Sequence, residues 1–495
     1  MRVLRSRPLR RRVIAATAGL AVLSGGSLAA SASLGGADVS RLAAYLATHA
    51  GASSTFPDNG VPPATPKARC GPGSVPETGT QGRVPSADFS NGRAAKGYTC
   101  NAVQMAHEGT SGGFKTFRYT DRTGRVCAYY DGTLLFPTEV PLHQSVGTIV
   151  LDMSDPTRPI ETEHLVTPAM DSPHESLALN PLRGLLAAGM GSPVTAPGIV
   201  DLYDISNDCR HPVWQSSTPL GILGHESGFT PDGRTYYVST TAQPGVTAID
   251  VSNPKLPSIL WHSMTYTFHG MSFNDAGTRL YGADLGSSHG LTILDVSQIQ
   301  HRVPTPVVAE VSHLTWPSVS IPQNSIPVTI KGHKYLVEFD EYTSNLNSTY
   351  GASQLVGAAR LIDLANDRLP RVVSNMRLQV NQPSARAGDQ ANDPGAQLPV
   401  QGYAAHYCAV PKETDPGIVA CSFILSGLRV FDIRDPRHPR EVAYFNKPAP
   451  TGLPFKTGSY AMSAPAFDRA RHEVWFADGN SGFYAVRLTN GAWPR

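Results

Sequence analysis

The sequence predicts an all-β protein: a seven-bladed β-propeller preceded by an extended N-terminal arm. Three observations lead there. A phrase made of Gly, an apolar strand, Asp, an apolar residue and a turn recurs through most of the chain. A second phrase, two short apolar strands around a turn rich in Gly or Asp, precedes most copies of the first. The composition is also that of a turn-rich β-protein. Of 495 residues, 46 are Gly and 41 are Pro, and only 16% are charged, where about 25% is usual. This balance argues against a coiled coil, and a hydrophobic fraction of 41% argues against a disordered chain. A net charge of +2 gives nucleic acid nothing to recognise, so no nucleic-acid partner is expected.

The organisation follows in chain order. Residues 1–32 read as a signal peptide: an n-region with Arg2, Arg5, Arg7, Arg10, Arg11 and Arg12, an apolar run at 13–23, and the A-x-A cleavage site Ala30-Ser31-Ala32. The run is too short to span a bilayer, and no other stretch is long enough, so no transmembrane segment is expected in the mature chain. Arg10-Arg11-Arg12-Val13-Ile14 loosely resembles a twin-arginine signal, and Sec and twin-arginine export both remain open. Either route gives a secreted or cell-surface protein. Residues 33–110 form the arm, with a short helix at 39–48 and an extended course at 52–85. Residues 111–495 form the propeller.

Within the propeller the recurring Asp falls at Asp152, Asp204, Asp250, Asp295, Asp363 and Asp432, and Arg487 takes its place in a seventh copy. The spacings of 52, 46, 45, 68, 69 and 55 residues are those of propeller blades. Each unit supplies four strands, the third ending at the Asp, which is expected to form the following turn. The seventh unit ends too early for its fourth strand. A segment within 84–106 is therefore expected to pair beside 482–488 and close the ring, since an unpaired edge is a liability.

Gly245-Val-Thr-Ala-Ile-Asp250-Val-Ser, Leu291-Thr-Ile-Leu-Asp295-Val-Ser and Gly427-Leu-Arg-Val-Phe-Asp432-Ile-Arg-Asp resemble the repeat of the LVIVD family of exported β-propellers. The resemblance covers roughly residues 114–488. It implies the propeller fold and says little about activity.

The six cysteines, even in number and free of any C-x-x-C, read as disulfides of an exported protein. In the sixth unit a hairpin symmetric about 413–416 places Cys408 opposite Cys421, close enough to bridge. Cys100–Cys127 is the second expected pair.

No P-loop, dinucleotide-binding glycine motif, G-x-S-x-G or H-E-x-x-H is present. The chemistry-bearing pattern is positional. Counting eleven residues back from a core residue of the second strand (Leu185, Tyr236, Leu280, Tyr335) reaches His174, His225, His269 and Asn324. In the sixth unit His406 lies twelve before Ile418, and in the seventh the position is Ser463. The innermost strand of each blade lines the channel, so these residues are expected at its mouth. Converging imidazoles could hold copper, zinc or iron. Glu175 and Glu226, each following a histidine, are expected to orient the ligands from behind. The mouth of a seven-bladed ring is wide, which makes the adjacent His174, His225 and His269 the expected trio and sets His406 apart. Arrays of channel histidines are also similar to those of the selenium-binding-protein propellers, which resemble methanethiol oxidases.

Two function classes follow. The first is a binding or interaction module for an extracellular ligand or protein of unknown identity. The alternative is a metal-dependent enzyme, an oxidase among the options, using the histidine ring. Two insertions, 343–351 with the sequon Asn347-Ser348-Thr349 and 381–401 with Arg386, Asp389 and Asp393, are expected to be surface loops; the second is either a solvated loop, a cap over one face of the ring, or a ligand-binding loop.

Overall fold

In a computed structural model of the chain, the described residues are 61–132, 147–171, 173–191, 197–241, 243–286, 289–316, 320–341, 356–386, 402–448 and 458–494. The signal peptide, the helix at 39–48, the insertion at 343–351, and Asp389 and Asp393 lie outside them.

The strands form seven antiparallel sheets of the predicted kind. Blade one runs Thr116–Thr120, Val126–Asp131, Thr148–Asp152 and Ile160–Leu165, from the axis outward. Blades two to six repeat the order, their innermost strands being Ala178–Asn180, Glu226–Phe229, Phe268–Phe273, Ile321–Ile330 and Ala405–Ala409. A single antiparallel sheet leaves apolar residues on both faces, and the ring buries both between neighbours. Between blades four and five, for example, Leu291, Ile293 and Trp316 pack on Leu336 and Ile362.

The recurring residues have physical reasons. Each Asp carboxylate accepts the backbone N–H two residues on, at 2.8–3.0 Å: Ser154, Ser206, Ser252, Ser297, Ala365 and Arg434. This fixes the turn from the third strand to the fourth. The recurring Gly opens the third strand where the backbone of the neighbouring outer strand crosses it. Gly427 has φ 75° and Gly482 φ 97°, and a Cβ at either would collide with a backbone carbonyl, of Phe445 and of Glu108 respectively. Gly427→Ala is expected to cost roughly 1–3 kcal/mol, read as a lower midpoint in chemical denaturation. An unchanged midpoint would mean the strand start is not constrained.

The ring closes as expected. Ala102–Glu108 pairs antiparallel with Gly482–Leu488, from Ala102 opposite Leu488 to Glu108 opposite Phe483. It begins within the expected window and runs two residues past it. The preceding strand, Tyr98–Cys100, goes elsewhere, pairing with Arg440–Asn446 to give blade six a fifth, outermost strand. Asn101 makes the step between the two blades. Its backbone is left-handed, with φ 52°, and its side-chain amide donates to the carbonyls of Arg69 and Val442.

The described part of the arm is fastened to the ring. Thr65 N–H donates to the Arg377 carbonyl at 2.8 Å. The fully buried Arg429 of blade six bonds Glu77 of the arm and Glu441 of its own blade, and stacks over Tyr444 at 4.6 Å. Buried guanidinium and carboxylates compensate one another only while all are present, so arm and blade six are coupled.

Three disulfides cross-link the chain: Cys408–Cys421, Cys70–Cys100 and Cys127–Cys209. Cys408 and Cys421 are direct cross-strand partners, as the hairpin symmetry requires. The expected Cys100–Cys127 pair is corrected. Cys100 lies on the outer strand of blade six against the arm, and Cys127 lies in blade one beside Cys209, in the turn between the third and fourth strands of blade two, Val200–Asp204 and Val213–Thr218. Sequence proximity misled because the chain crosses from blade six to seven to one over those residues. Replacing Cys408 and Cys421 together by Ser is expected to cost about 3 kcal/mol, the entropy scale for a loop of this size, with a matching fall in denaturation midpoint. Among the described residues no helix is long and apolar enough to cross a membrane.

Candidate metal centre

The innermost elements of blades two, three, four and six bring His174, His225, His269 and His406 to one point on the axis, all buried. Glu175 sits between them. Its Oε2 lies 2.9 Å from His225 Nε2 and 2.9 Å from His269 Nε2, and its Oε1 lies 3.2 Å from His406 Nε2. The two imidazole nitrogens of His225 and His269 are 3.1 Å apart. Blade five contributes Glu341, at the end of its second strand, His333–Glu341. Its Oε2 is 2.9 Å from His406 Nε2 and its Oε1 is 3.5 Å from His269 Nε2. Donor atoms of His174, Glu175 and His225 fall within 4.8 Å of one another, as do those of Glu175, Glu341 and His406.

The backbone aims these rings. His269 Nδ1 meets the Pro322 carbonyl at 3.1 Å and His406 Nδ1 the Met462 carbonyl at 2.6 Å. A carbonyl only accepts, so Nδ1 carries the proton and Nε2 points inward, the arrangement that second-sphere partners impose on metal-binding histidines. His174 is held in a left-handed conformation, φ 51°, on the turn before Ala178–Asn180, with Phe114 packed edge-on at 4.1 Å. His174 Nδ1, Glu175 Oε2 and His406 Nε2 are buried without a hydrogen-bond partner. For the last two, the close contacts lie off the hydrogen-bonding directions. Buried polar atoms are rarely left so.

The electrostatics call for positive charge. Burial pushes the His174 imidazole down to about 3, so it is a neutral donor. Burial also depresses His269 and His406, but Glu175 and Glu341 overcome it and raise both to about 9. Burial would raise Glu175, yet the imidazoles of His269 and His225 hold it well below the usual carboxylate range. Burial keeps Glu341 above its ordinary value. Two carboxylates thus face inward-pointing imidazoles in a buried cluster, and either protons or a cation must sit among them.

A second network adjoins the first. Glu226 accepts from Lys115 Nζ at 2.8 Å and from Asn324 Nδ2 at 2.6 Å. Lys115 lies 3.9 Å over the Tyr407 ring, whose hydroxyl accepts from Gln323 Nε2 at 2.6 Å. The Tyr407 hydroxyl is pushed well above its usual range, by burial first and then by Glu175 and Glu226. Gly270 leaves room for this network, because a Cβ there would strike the Glu226 carboxylate and the Asn324 amide.

Several residues therefore sit differently from expectation. His406, set apart by the argument of width, is 3.2 Å from Glu175, because carboxylates from blades two and five bridge the gap. Glu175 lies among the imidazoles rather than behind them, and Glu226 is engaged by Lys115 and Asn324. Ser463 turns outward, its hydroxyl accepting from Ala477 N–H at 2.7 Å. Glu341, Lys115, Gln323, Tyr407 and Phe114 were not singled out. Lys115 had a signal, since eleven residues back from Val126, the first residue of blade one's second strand, reaches it. Glu341 had only a weak one, an acidic end to an apolar strand just before the 343–351 insertion. Of the 381–401 insertion, the described residues are 381–386, which carry the end of the turn Gln379–Asn381 and the short helix Pro383–Arg386.

No protein-family model and no curated protein matches the chain. Solved structures with similar folds include a putative 6-phosphogluconolactonase from Bacteroides uniformis, with TM-score 0.47 and 9% identity over 71% of this chain and 88% of that one. The periplasmic gluconolactonase PpgL of Pseudomonas aeruginosa gives TM-score 0.43 and 15% identity over 74% and 90%. Kuenenia stuttgartiensis hydrazine synthase gives 0.46 and 11% over 77% and 97%. At such identities the likeness concerns the propeller fold alone.

Proposed function

We propose that this protein is an exported metal-dependent enzyme whose transition-metal centre is the His/Glu cluster at the channel axis. The observation that carries the reading is the convergence of His225, His269 and His406 Nε2 on Glu175 at 2.9–3.2 Å. Two donors bound to one ion at about 2.0–2.1 Å each are roughly 3 Å apart, so these spacings fit a shared ion. The donors are imidazole and carboxylate without thiolate, a set suited to iron or zinc and compatible with copper. A bound ion would supply Lewis-acid or redox chemistry. The chain's own residues would fix the ligand orientation through Pro322 and Met462, exclude water with Phe114, and hold charge nearby through the Lys115–Glu226 pair. The three disulfides support an oxidising compartment outside the cytoplasm. The Asp-capped turns in six blades support an LVIVD-type repeat.

A second reading, the binding module, draws on a different feature. A cavity of about 1010 Å³ lies on the outside of blades five and six, between Pro62–Pro66 of the arm and Arg434, Arg437 and His438. It has no link to the histidine cluster, and a ligand there would leave the channel without a role.

Metal analysis of protein purified without chelator or affinity-tag nickel tests the first reading. At least one equivalent of iron, zinc or copper per chain is expected, lost together with activity-independent thermal stabilisation on dialysis against a strong chelator. A metal-free protein that also fails to take up these ions would leave only the binding module.

A further inference from the structure

We propose that the channel holds two metal ions rather than one, bridged by the carboxylates of Glu175 and Glu341. The inference rests on the metal-centre reading above and adds its nuclearity. The observation is the way each carboxylate divides its oxygens. Glu175 directs Oε2 at His225 and His269 and Oε1 at His406. Glu341 divides in the same sense, with Oε1 toward His269 and Oε2 toward His406. Two separate donor groups result, one built on His174, His225 and Glu175, the other on Glu175, Glu341 and His406, with Glu175 common to both. A carboxylate whose two oxygens serve different donor sets is what holds a pair of ions in two-metal sites. The unpartnered buried atoms fall on both sides of Glu175: His174 Nδ1 on one, His406 Nε2 on the other.

The two positions are unequal. The first has His225 and His269 at 2.9 Å from Glu175 Oε2, with a His174 nitrogen within 4.8 Å of the Glu175 and His225 donor atoms, and binds tightly. The second has one imidazole and two carboxylate oxygens, so solvent or an oxygen-donor substrate must complete its coordination. Charge sets the order of filling. Glu175 and Glu341 balance the first divalent ion, whereas Glu226 is already neutralised by Lys115 at 2.8 Å. The second ion enters a site with no carboxylate charge to spare and binds more weakly.

Titration of the chelator-stripped full-length protein with Co²⁺, followed by its visible spectrum and by calorimetry, tests this. Two equivalents are expected, in two steps separated by at least about tenfold in affinity. Glu341→Gln should reduce the stoichiometry from two to one and also weaken the first step, whose charge Glu341 helps to balance. His406→Asn should reduce the stoichiometry from two to one and leave the first affinity within about threefold, and it serves if the first variant does not fold. Glu175→Gln should weaken both steps at least tenfold, which two unrelated surface sites would not do. A single equivalent in the native chain overturns the pair and leaves the metal-centre reading intact, as does a folded Glu341→Gln variant still taking two. No uptake at all overturns both.

Discussion

His269→Ala is expected to lower affinity for the tighter-bound metal by more than about 100-fold, while His313→Ala changes nothing. Loss of a supporting partner of a ligand already costs 10–100-fold, and His269 is a central member of the cluster itself. Its Nε2 is 2.9 Å from Glu175, 3.1 Å from His225 and 3.5 Å from Glu341. The substitution removes an inward imidazole nitrogen that sits beside the shared Glu175 carboxylate. His313 is exposed, with its ring against Glu310 at 3.4 Å, and so controls for ions bound on the surface. The variant should also lose the stabilisation that a tight ligand confers, about 4 kcal/mol when free metal exceeds the dissociation constant a thousandfold. Competition with a chromophoric chelator gives the affinity, and melting with and without metal gives the linkage. If His269→Ala binds metal as the native protein does, the cluster is an ion-pair network filled by protons, and the enzyme reading falls.

What the sequence made legible was local and repetitive. The Asp that caps a turn two residues on, and the Gly that lets a third strand start under a crossing carbonyl, act through neighbours in the chain, so their recurrence declared the blades. Cys408 and Cys421 were legible for the same reason, being cross-strand partners in one hairpin. Five of the channel residues, the four histidines and Asn324, were reachable because repetition carries a register from blade to blade. Glu341 was not, since it comes from the end of a second strand, off the counted register. Its place in the cluster depends on how blade five sits beside blades four and six. The pairings Cys70–Cys100 and Cys127–Cys209 depend on the same long-range geometry, one tying the arm to blade six and the other tying blade one to blade two. The Arg429–Glu77–Glu441 contact is likewise invisible in a sequence where Glu77 looks like one charge in an extended arm.

Deleting residues 84–106 is expected to abolish cooperative folding of the ring, and Ala106→Asp to lower its stability by roughly 3 kcal/mol or more, the scale for burying an unpaired carboxylate. The deletion removes most of Ala102–Glu108, the outer strand of blade seven, and all of Tyr98–Cys100, the fifth strand of blade six. It also removes Cys100 and with it the bond to Cys70. Two sheet edges open, and the two ends of the propeller lose their only described shared sheet. Ala106 isolates the closure from those other losses. It sits opposite Ala485 and packs in the cluster with Trp475 and Phe483 between blades seven and one, so a carboxylate there meets apolar side chains. Val103, in the same strand but 45% exposed, provides the contrast, and Val103→Asp should leave the melting curve nearly where it was. Because blade seven abuts blade one, opening the closure frees the whole ring to unroll rather than fraying one end. The melting transition of the deletion should therefore be broad or absent, not merely shifted. An unchanged melting temperature for both Ala106→Asp and the deletion would mean that the ring closes through blade seven's own strands. The segment 102–108 would then be a passenger on its edge.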